Sequence, residues 1–452
     1  MTDDATTLLS RYIAESSSAE LPPEVIHKSK LHILDTVAAI ISGSQLKPGK
    51  FAATFVQGLG SRAESSVLGT DIMVSATEAA LANGMAGHAD ETDDSHLRSR
   101  SHPGCSVIPA AFALGEKNGV SGAAIIRAVC AGYDVGTRAT IALGYGPAKT
   151  HRHSTHSIAA TFGAAAAAGS LIRPSPEQAA YLLSYAAQQA SGVTSWNRDH
   201  DHVEKAFDFG GMGARNGVFA ALFVAAGANG VSDVMTGKGS FLEAFGEEVD
   251  PGQLSDGLGQ RYEVMQTSIK KWCVGSPIQA ALDSLVYLMQ QHQAGANDVE
   301  KLVAIMPDDR LHIVDSRQIP DICLQHLLAV TLVDGTLTFH SSHDEERMQD
   351  PRVLELRKRI EAVPSAELTA AKPSRQAIIR LTLRDGREVE RRTYAVLGTP
   401  DNPMSDKEVC DKAIDLITPV CGPGKTQELV DTLMALEQVE SFRSIQPLFR
   451  PS

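Results

Sequence analysis

The chain has few of the features that mark several large classes of protein. Aromatic residues make up 5% of its 452 residues, and the formal charge is −13 with no local run of lysine and arginine. A nucleic-acid surface requires clustered basic residues, so we expect no nucleic-acid partner. The most apolar run, FAALFVAAGA at 219–228, is shorter than the ~18 residues that span a bilayer, so we expect no membrane partner.

Signals for export and for disulfide bonding are also scarce. The N-terminus, MTDDATTLLSRYIAE, carries acidic residues where a signal peptide carries lysine or arginine. The six cysteines include no CxxC pair, which favours reduced thiols over a disulfide framework. We therefore predict a cytoplasmic enzyme.

Residues from about 5 to 265 have the periodicity of helices. The segment PPEVIHKSKLHILDTVAAIISGS at 22–44 has a first-turn proline and a broad apolar face. Ser121 and Ser175 stand where N-caps of two further helices are expected. One short strand is predicted at 64–69.

The pattern changes after Lys271. VEKLVAIMP at 299–307 alternates like a strand, and alternation on both sides of Asp385-Gly386 predicts a hairpin. Helical periodicity returns after about residue 405. We predict a mainly α fold, with a large all-helical domain formed by residues 1–271 and 402–452 and a smaller α+β domain of residues 272–401.

The stretch GHADETDDSH at 87–96 places four carboxylates between two histidines. Arg98, Arg100 and His102 follow within a few residues. One interpretation is a solvated helix end. The other is a set of general acids and bases in an active site, because carboxylates near apolar walls or near one another have raised pKa values. No HxxxH or HExxH spacing is present, so we predict no metal site.

A second stretch, THRHSTHS at 150–157, carries three histidines ahead of a predicted helix. Imidazoles at this place suit general acid/base chemistry, and the free N–H groups of the helix end suit an anionic substrate. Alternatively, Ser154 or Thr155 caps the helix and His151, His153 and His156 are exposed. The pattern alone leaves both interpretations open.

Lysines stand out in two further stretches. Lys205 precedes the glycines of VEKAFDFGGMGARNG at 203–217, which has neither the preceding strand nor the Lys-Ser/Thr pair of a nucleotide loop. These glycines instead predict close packing of helices. Lys270 and Lys271 lie in IKKW at the predicted domain boundary, and boundaries are where clefts form.

Together these stretches resemble the MmgE/PrpD family over nearly the whole chain. The segments that carry the resemblance are NGMAGHADETDDSH…HPG, HST…FGAAAAAG, K-xxxx-GGMGARNGVFAALFVAAG, IKKW and DGREVERRTYAVLGTPDNPMS, in this order. The family includes 2-methylcitrate dehydratase, cis-aconitate decarboxylase and iminodisuccinate epimerase. The resemblance implies a large helical domain with a smaller α+β lid domain, a homodimer, and neither a metal nor an organic cofactor.

The resemblance also implies site residues. Glu91 stands where the family carries aspartate, and Ser95 keeps the hydroxyl of the family's threonine. HST favours His153 over its neighbours, and the lysine–x–aromatic pattern favours Lys270 over Lys271. The residues expected to be catalytic are Glu91, Asp94, Ser95, His102, His153, Lys205 and Lys270. Those expected to bind substrate are Arg98, Arg100, His151, His156 and Lys271, while His88 is expected to anchor the helix end.

These residue types imply proton abstraction beside a carboxylate. Lysines would stabilise the developing enediolate, and histidines would exchange protons with carbon or with a leaving hydroxyl. We predict a hydro-lyase that acts on a small polycarboxylate such as 2-methylcitrate. A decarboxylase or an epimerase shares the first proton transfer and stays an alternative. A catalytically silent carboxylate-binding protein is the alternative from another class.

Overall fold

The computed structural model describes residues 4–144 and 153–452, and the chain divides into two compact units. Unit 1 comprises Met1–Ala89, Asp93–Ser268 and Val409–Ser452. Unit 2 comprises Asp90–Thr92 and Ile269–Glu408. Helices dominate and the strands are confined to small sheets, so the predicted mainly α fold with an α+β part is confirmed.

Unit 1 is built from helices rich in alanine and glycine, joined by short two-stranded pairings. Its helices are α1 (Ala5–Ser16), α2 (Pro23–Gly43), α3 (Lys47–Gly58), α4 (Ala76–Gly87), α5 (Gly104–Asn118), α6 (Gly122–Ile141), α7 (Thr155–Ser170), α8 (Pro176–Gln189), α9 (Val203–Ala206), α10 (Met212–Ala225), α11 (Phe241–Phe245), α18 (Asp406–Cys421) and α19 (Pro423–Met434). Its strands are β1 (Ser65–Ser66), β2 (Met73–Val74), β3 (Ser95–His96) and β4 (Thr267–Ser268). The first three residues of α18 belong to unit 2.

Local sequence determines where these helices begin and how closely they pack. Ser121 caps α6 by accepting from Ala124 N–H, and Ser175 forms a capping box with Gln178, as the sequence predicted. α7 is buried over nearly its whole length and packs on α6 and α10. A Cβ on Gly136 of α6 would lie 2.4 Å from Ala159 O in α7, so only glycine permits this approach.

The prediction of helix up to residue 265 is wrong for its last part. Between Gly227 and Gln266 the chain contains only α11 and short 3₁₀ turns. Gly227 has φ +98°, which ends α10 in a conformation that a helix cannot continue. The glycines that recur beyond it weaken helix formation in the same way.

Unit 2 is an α+β structure around one four-stranded sheet. Its helices are α12 (Gln279–His292), α13 (Asp308–Val314), α14 (Leu324–Asp334), α15 (Phe339–His343), α16 (Pro351–Arg357) and α17 (Ala366–Ala370). Its strands are β5 (Val299–Pro307), β6 (Ile360–Ser365), β7 (Ala377–Leu383) and β8 (Glu388–Thr393), in the order β6-β5-β7-β8. β5 is parallel to β6 and antiparallel to β7, and the predicted hairpin β7–β8 is confirmed.

The core of unit 2 follows from the alternation in its strands. Every second residue of β7 is buried, and these side chains meet α12. In the part of the chain that the structure describes, no helix combines the length and the apolar character needed to cross a bilayer.

Candidate active site

The acidic stretch after α4 is buried, so it is not a solvated helix end. Asp90 and Glu91 expose 4% and 7% of their surface, and Asp93 and Asp94 expose none. α4 ends at Gly87, and His88 follows with non-helical torsion angles. Because an unpaired buried carboxylate is strongly unfavourable, each of these acids requires a partner.

Asp93 bridges two imidazoles of unit 1. Its Oδ2 lies 3.0 Å from Nδ1 of His88, and its Oδ1 lies 3.1 Å from Nδ1 of His102. Burial alone would raise the pKa of Asp93, but the charges and hydrogen bonds of His88 and His102 hold it well below its usual range. An ionised Asp93 accepts from both rings, which places their protons on Nδ1 and leaves each Nε2 as a lone-pair base.

A third imidazole joins this group. His156 stacks on Phe209 with 3.6 Å between ring centroids and lies 5.4 Å from the ring of His102. Burial, followed by the nearby His102 and His88, lowers the pKa of His156 well below its usual value, so the ring is neutral at pH 7. We call Asp93, His88, His102 and His156 the histidine cluster.

Two open nitrogens of the cluster are a further sign of a site. Nε2 of His88 and Nδ1 of His156 are buried and have no hydrogen-bond partner within residues 4–144 and 153–452. Buried polar atoms usually have partners, so such atoms mark places where a ligand can bind.

Glycine contacts bring the cluster together. A Cβ on Gly84 of α4 would lie 2.7 Å from the carbonyl carbon of Gly210, so only glycine permits α4 to pack this closely on the π-helical turn Phe207–Gly211. Phe209 on this turn stacks on His88 at 4.3 Å as well as on His156. π-Helical turns of this kind occur frequently at functional sites.

Lys205 stands one turn before Phe209. Its Nζ lies 5.3 Å from the ring of Phe209 and 6.0 Å from the ring of Trp196, and its backbone N–H donates to Asp199. Its positive charge contributes to the lowered pKa values of His88 and His156. An ammonium group beside neutral imidazoles favours an anionic ligand.

Asp208 connects the π-helical turn to α7. Its carboxylate accepts from the hydroxyl of Ser154, the residue that precedes α7 and His156. Burial raises the pKa of Asp208 to about 7, although hydrogen bonds from Ser154 and Ser157 oppose the shift. Asp208 therefore connects the turn that carries Phe209 to the start of the helix that carries His156.

Asp94 and Ser95 have structural partners. Asp94 accepts from Tyr133 Oη at 2.6 Å and from Gly104 N–H at 3.0 Å, and its Oδ2 lies 2.9 Å from His32 Nδ1. Ser95 lies in β3, paired with Ser268. Asp94 is fully buried and its oxygens are bonded to neighbouring elements of unit 1, and its catalytic role stays a prediction.

Glu91 and Lys270 belong to unit 2 and contact each other. Lys270 Nζ donates to the backbone oxygen of Glu91 at 2.7 Å and lies 3.6 Å from its carboxylate. Both side chains are largely buried. Two residues that were each predicted to be catalytic thus lie in contact. Lys271 lies 5.8 Å from the ring of its neighbour Trp272.

The other predicted residues lie in varied places. Arg98 is exposed and donates to Gln253 at 3.0 Å, while the backbone oxygen of Arg100 accepts from Thr155 at 2.8 Å. His153 packs on Phe245 with 5.0 Å between ring centroids, whereas His156 is the one that joins His102. His151 lies outside the described residues.

The sequence analysis missed Asp93 as the central carboxylate and assigned His88 only an anchoring role. The five-residue spacing from His88 to Asp93 gave no recognisable signal, because the contact depends on the chain turning after α4. The aromatic surface of Phe209 and Trp196 was missed because both residues are distant in sequence from the histidines.

The same cluster has the composition of a metal site. His88, Asp93 and His102 each place one possible ligand atom within 4.8 Å of the others. The described contacts of the carboxylate are with Nδ1 atoms, which is also the geometry of a hydrogen-bonded triad. The absence of a metal stays a prediction.

The fold and the site together describe a mainly helical protein that has an α+β unit and a buried cluster of imidazoles around a carboxylate. Comparison with protein families matches residues 7–253 to the MmgE/PrpD N-terminal domain and residues 272–438 to the MmgE/PrpD C-terminal domain. The chain belongs to the MmgE/PrpD family, as its sequence motifs indicated.

Curated relatives extend over nearly the full length. The chain is 25% identical to the cis-aconitate decarboxylase-like protein oryM of Aspergillus oryzae, over 96% of this chain and 95% of that protein. It is 24% identical to the cis-aconitate decarboxylase of Aspergillus terreus, over 96% and 93%. It is also 24% identical to the human cis-aconitate decarboxylase, over 95% and 91%. Two of these relatives are thus named cis-aconitate decarboxylases and one a cis-aconitate decarboxylase-like protein.

Proposed function

We propose that the chain is a cofactor-independent lyase that removes carbon dioxide from a small unsaturated polycarboxylate of the cis-aconitate type. The observation that carries this proposal is the histidine cluster, in which one buried carboxylate orients two imidazoles beside a third neutral one. The names of full-length relatives support decarboxylation over the dehydration that the sequence motifs suggested.

The cluster suits proton transfer to and from carbon. Ionised Asp93 selects the Nδ1–H form of His88 and His102, so each Nε2 can accept a proton. Once protonated, an imidazole is stabilised by the same carboxylate and can return the proton. The low pKa of His156 keeps its ring unprotonated at neutral pH and also makes it a weaker base than an ordinary imidazole.

Decarboxylation replaces a carbon–carbon bond by a carbon–hydrogen bond. The bond to the departing carboxylate breaks, carbon dioxide leaves, and the electron pair stays on carbon, delocalised into the neighbouring unsaturated carboxylate. A ring of the cluster that has first taken up a proton from solvent on Nε2, and whose imidazolium form Asp93 stabilises, then supplies the proton that forms the new carbon–hydrogen bond. The ammonium of Lys205 would stabilise the negative charge in the intermediate.

The remaining predicted residues receive different roles in this proposal. Glu91 and Lys270 stay predicted catalytic residues carried by unit 2. Asp94 and Ser95 are assigned supporting roles, because Asp94 is already bonded to Tyr133 and Gly104. The predicted homodimer and cytoplasmic location stay predictions.

Dehydration is the second candidate, and a specific feature favours it. Of the two imidazoles that contact Asp93, one would remove a proton from carbon and the other would protonate a leaving hydroxyl. The 2-methylcitrate-type hydro-lyase predicted from the sequence is therefore the principal rival.

A substrate panel separates these functions. The purified chain is incubated with cis-aconitate, citrate and 2-methylcitrate while released carbon dioxide and alkene absorbance are recorded. We expect carbon dioxide from cis-aconitate in a one-to-one ratio with the remaining alkene. Alkene formation from citrate or 2-methylcitrate without carbon dioxide would support the hydro-lyase instead. No reaction with any of the three substrates would contradict both enzymatic proposals.

A pair of histidine variants tests which histidine of the second stretch acts. His156→Ala is expected to lower kcat by about 10²-fold or more, because it removes a proton-transfer group beside His102. His153→Ala is the matched control, since His153 packs on Phe245, and should retain at least half of the wild-type kcat. A larger loss of kcat for His153→Ala than for His156→Ala in steady-state assays would show that His153, and not His156, is the acting histidine.

A further inference from the structure

A histidine that the proposed chemistry does not use is held in a charged network of unit 2. His343 is the last residue of α15, and its Nε2 lies 2.7 Å from Oδ2 of Asp90 and 4.0 Å from Asp321. Asp90 immediately precedes Glu91, and Asp90–Thr92 belongs to unit 2 although its chain neighbours on both sides belong to unit 1.

The contacts of its two ring nitrogens indicate the charge state of this histidine. Nδ1 of His343 lies 2.8 Å from the backbone oxygen of Phe339, a pure acceptor, so Nδ1 carries a proton. Nε2 faces the carboxylate of Asp90, which accepts from the backbone N–H and the hydroxyl of Thr92 and is therefore ionised. Nε2 does not meet hydrogen-bond geometry with this carboxylate, so their 2.7 Å contact is an ion pair, which requires the imidazolium form.

We propose that His343 is a positioning residue that, as a cation, fastens the segment Asp90–Thr92 to unit 2 and so holds Glu91 against Lys270. The attachments of the segment include the ion pair at Asp90 and the bond from Lys270 Nζ to the oxygen of Glu91. The effect of this placement on catalysis rests on the proposed function, in which Glu91 is a predicted catalytic residue.

The charges around His343 favour the cation. Burial would lower its pKa, but the close ionised carboxylate of Asp90, helped by Asp321, raises it to about 9. Burial of Asp90 is likewise opposed by His343 and Thr92, which lower its pKa. α14 also packs on α15, and its His326 is neutral because burial, with Arg357 and Arg347, lowers its pKa to about 4.

The pH dependence follows from this shift. The folded-state pKa of His343 lies above the ordinary value of 6.5, so the attachment is complete below about pH 6.5 and is lost as the pH rises through about 9. A mobile segment 90–92 would misplace Glu91, and a displacement near 1 Å can lower the rate by about 10²-fold. The decrease of kcat at alkaline pH should therefore follow the loss of this ion pair.

Hydrogen exchange followed by mass spectrometry tests the attachment without any substrate. The full chain is labelled between pH 6 and 10, with times scaled to equal intrinsic exchange, and the peptide covering residues 88–96 is compared in wild type, His343→Gln, Asp90→Asn and His340→Gln. His340 lies on the same helix but is exposed, so it is the matched control. We expect at least about tenfold lower protection in the first two variants at pH 7, and wild-type protection that falls through about pH 9.

The kinetic measurement is kept separate from the exchange measurement. On whichever polycarboxylate is turned over, His343→Gln should lower kcat and lose the alkaline limb near pH 9, while His340→Gln keeps both. Unchanged protection in His343→Gln at every pH would overturn the positioning role, whatever the enzyme's activity. If His343→Gln fails to fold, flat wild-type protection across pH 9 overturns it equally. Normal exchange behaviour with no turnover of any substrate would instead refute the proposed function.

Discussion

Replacing Asp93 by asparagine is expected to lower kcat/KM by about 10³-fold. Each carboxylate oxygen of Asp93 contacts one imidazole, so the amide NH₂ of asparagine would face either His88 or His102. A donor at that place forces the ring to carry its proton on Nε2, and the base then points away from the substrate. Steady-state kinetics on the best substrate of the panel measures the effect.

Two controls make the Asp93 result specific. Asp233→Asn removes a carboxylate from the exposed surface of unit 1 and should leave kcat/KM unchanged. Circular dichroism should show that Asp93→Asn is folded, because the substitution keeps the shape of the side chain. A folded Asp93→Asn enzyme with less than a tenfold loss would mean that Asp93 does not orient the acid and base.

The largest expected loss of stability comes from Lys412. Its Nζ lies 2.6 Å from Oδ1 of Asp35, and both side chains are buried in unit 1. Lys412→Met would leave the carboxylate of Asp35 buried without this cation, which lowers the free energy of unfolding by about 3–5 kcal/mol. Urea unfolding monitored by circular dichroism at pH 8 measures the loss.

The pH dependence of this loss has a definite sign. Burial raises the pKa of Asp35 to about 6 even though Lys412 opposes the shift. Stability linked to Asp35 is thus complete below its unfolded value of 3.8 and is lost as the pH rises through about 6. Removing Lys412 should raise the folded pKa further, so we expect the loss to be larger at pH 8 than at pH 5.

Matched variants isolate the ion pair. Lys407→Met replaces an exposed lysine in the same helix and should change the free energy of unfolding by less than about 0.5 kcal/mol. The double variant Asp35→Asn/Lys412→Met should recover part of the loss, because no ionised carboxylate is then buried. A single Lys412→Met variant as stable as the wild type would show that this pair contributes nothing to folding.

Periodicity and capping residues predicted much of the fold. The alternation of VEKLVAIMP and the turn at Asp385-Gly386 both correspond to observed strands, and Ser121 and Ser175 cap helices as expected. These features are local, so one sequence suffices to recognise them. The prediction failed at 227–266, where repeated glycines outweigh the scattered apolar residues.

The site was predictable only in part, because its contacts join distant segments. His102 and Lys205 were selected from sequence motifs, as were Glu91 and Lys270 individually, and the structure gives each a contact. The choice of His156 over His153 depends on which way the start of α7 turns its side chains. The roles of Asp93 and of His343 depend on tertiary contacts that no spacing in the sequence reports.

The most direct test of the account is the reaction of the purified chain with cis-aconitate in deuterium oxide. The proposed decarboxylation predicts one carbon dioxide for each molecule consumed and one deuterium on a carbon over which the electron pair was delocalised, delivered by an imidazolium of the histidine cluster. Asp93→Asn should lose both signals together. An unlabelled product, or consumption of cis-aconitate by addition of water without carbon dioxide, would contradict the account.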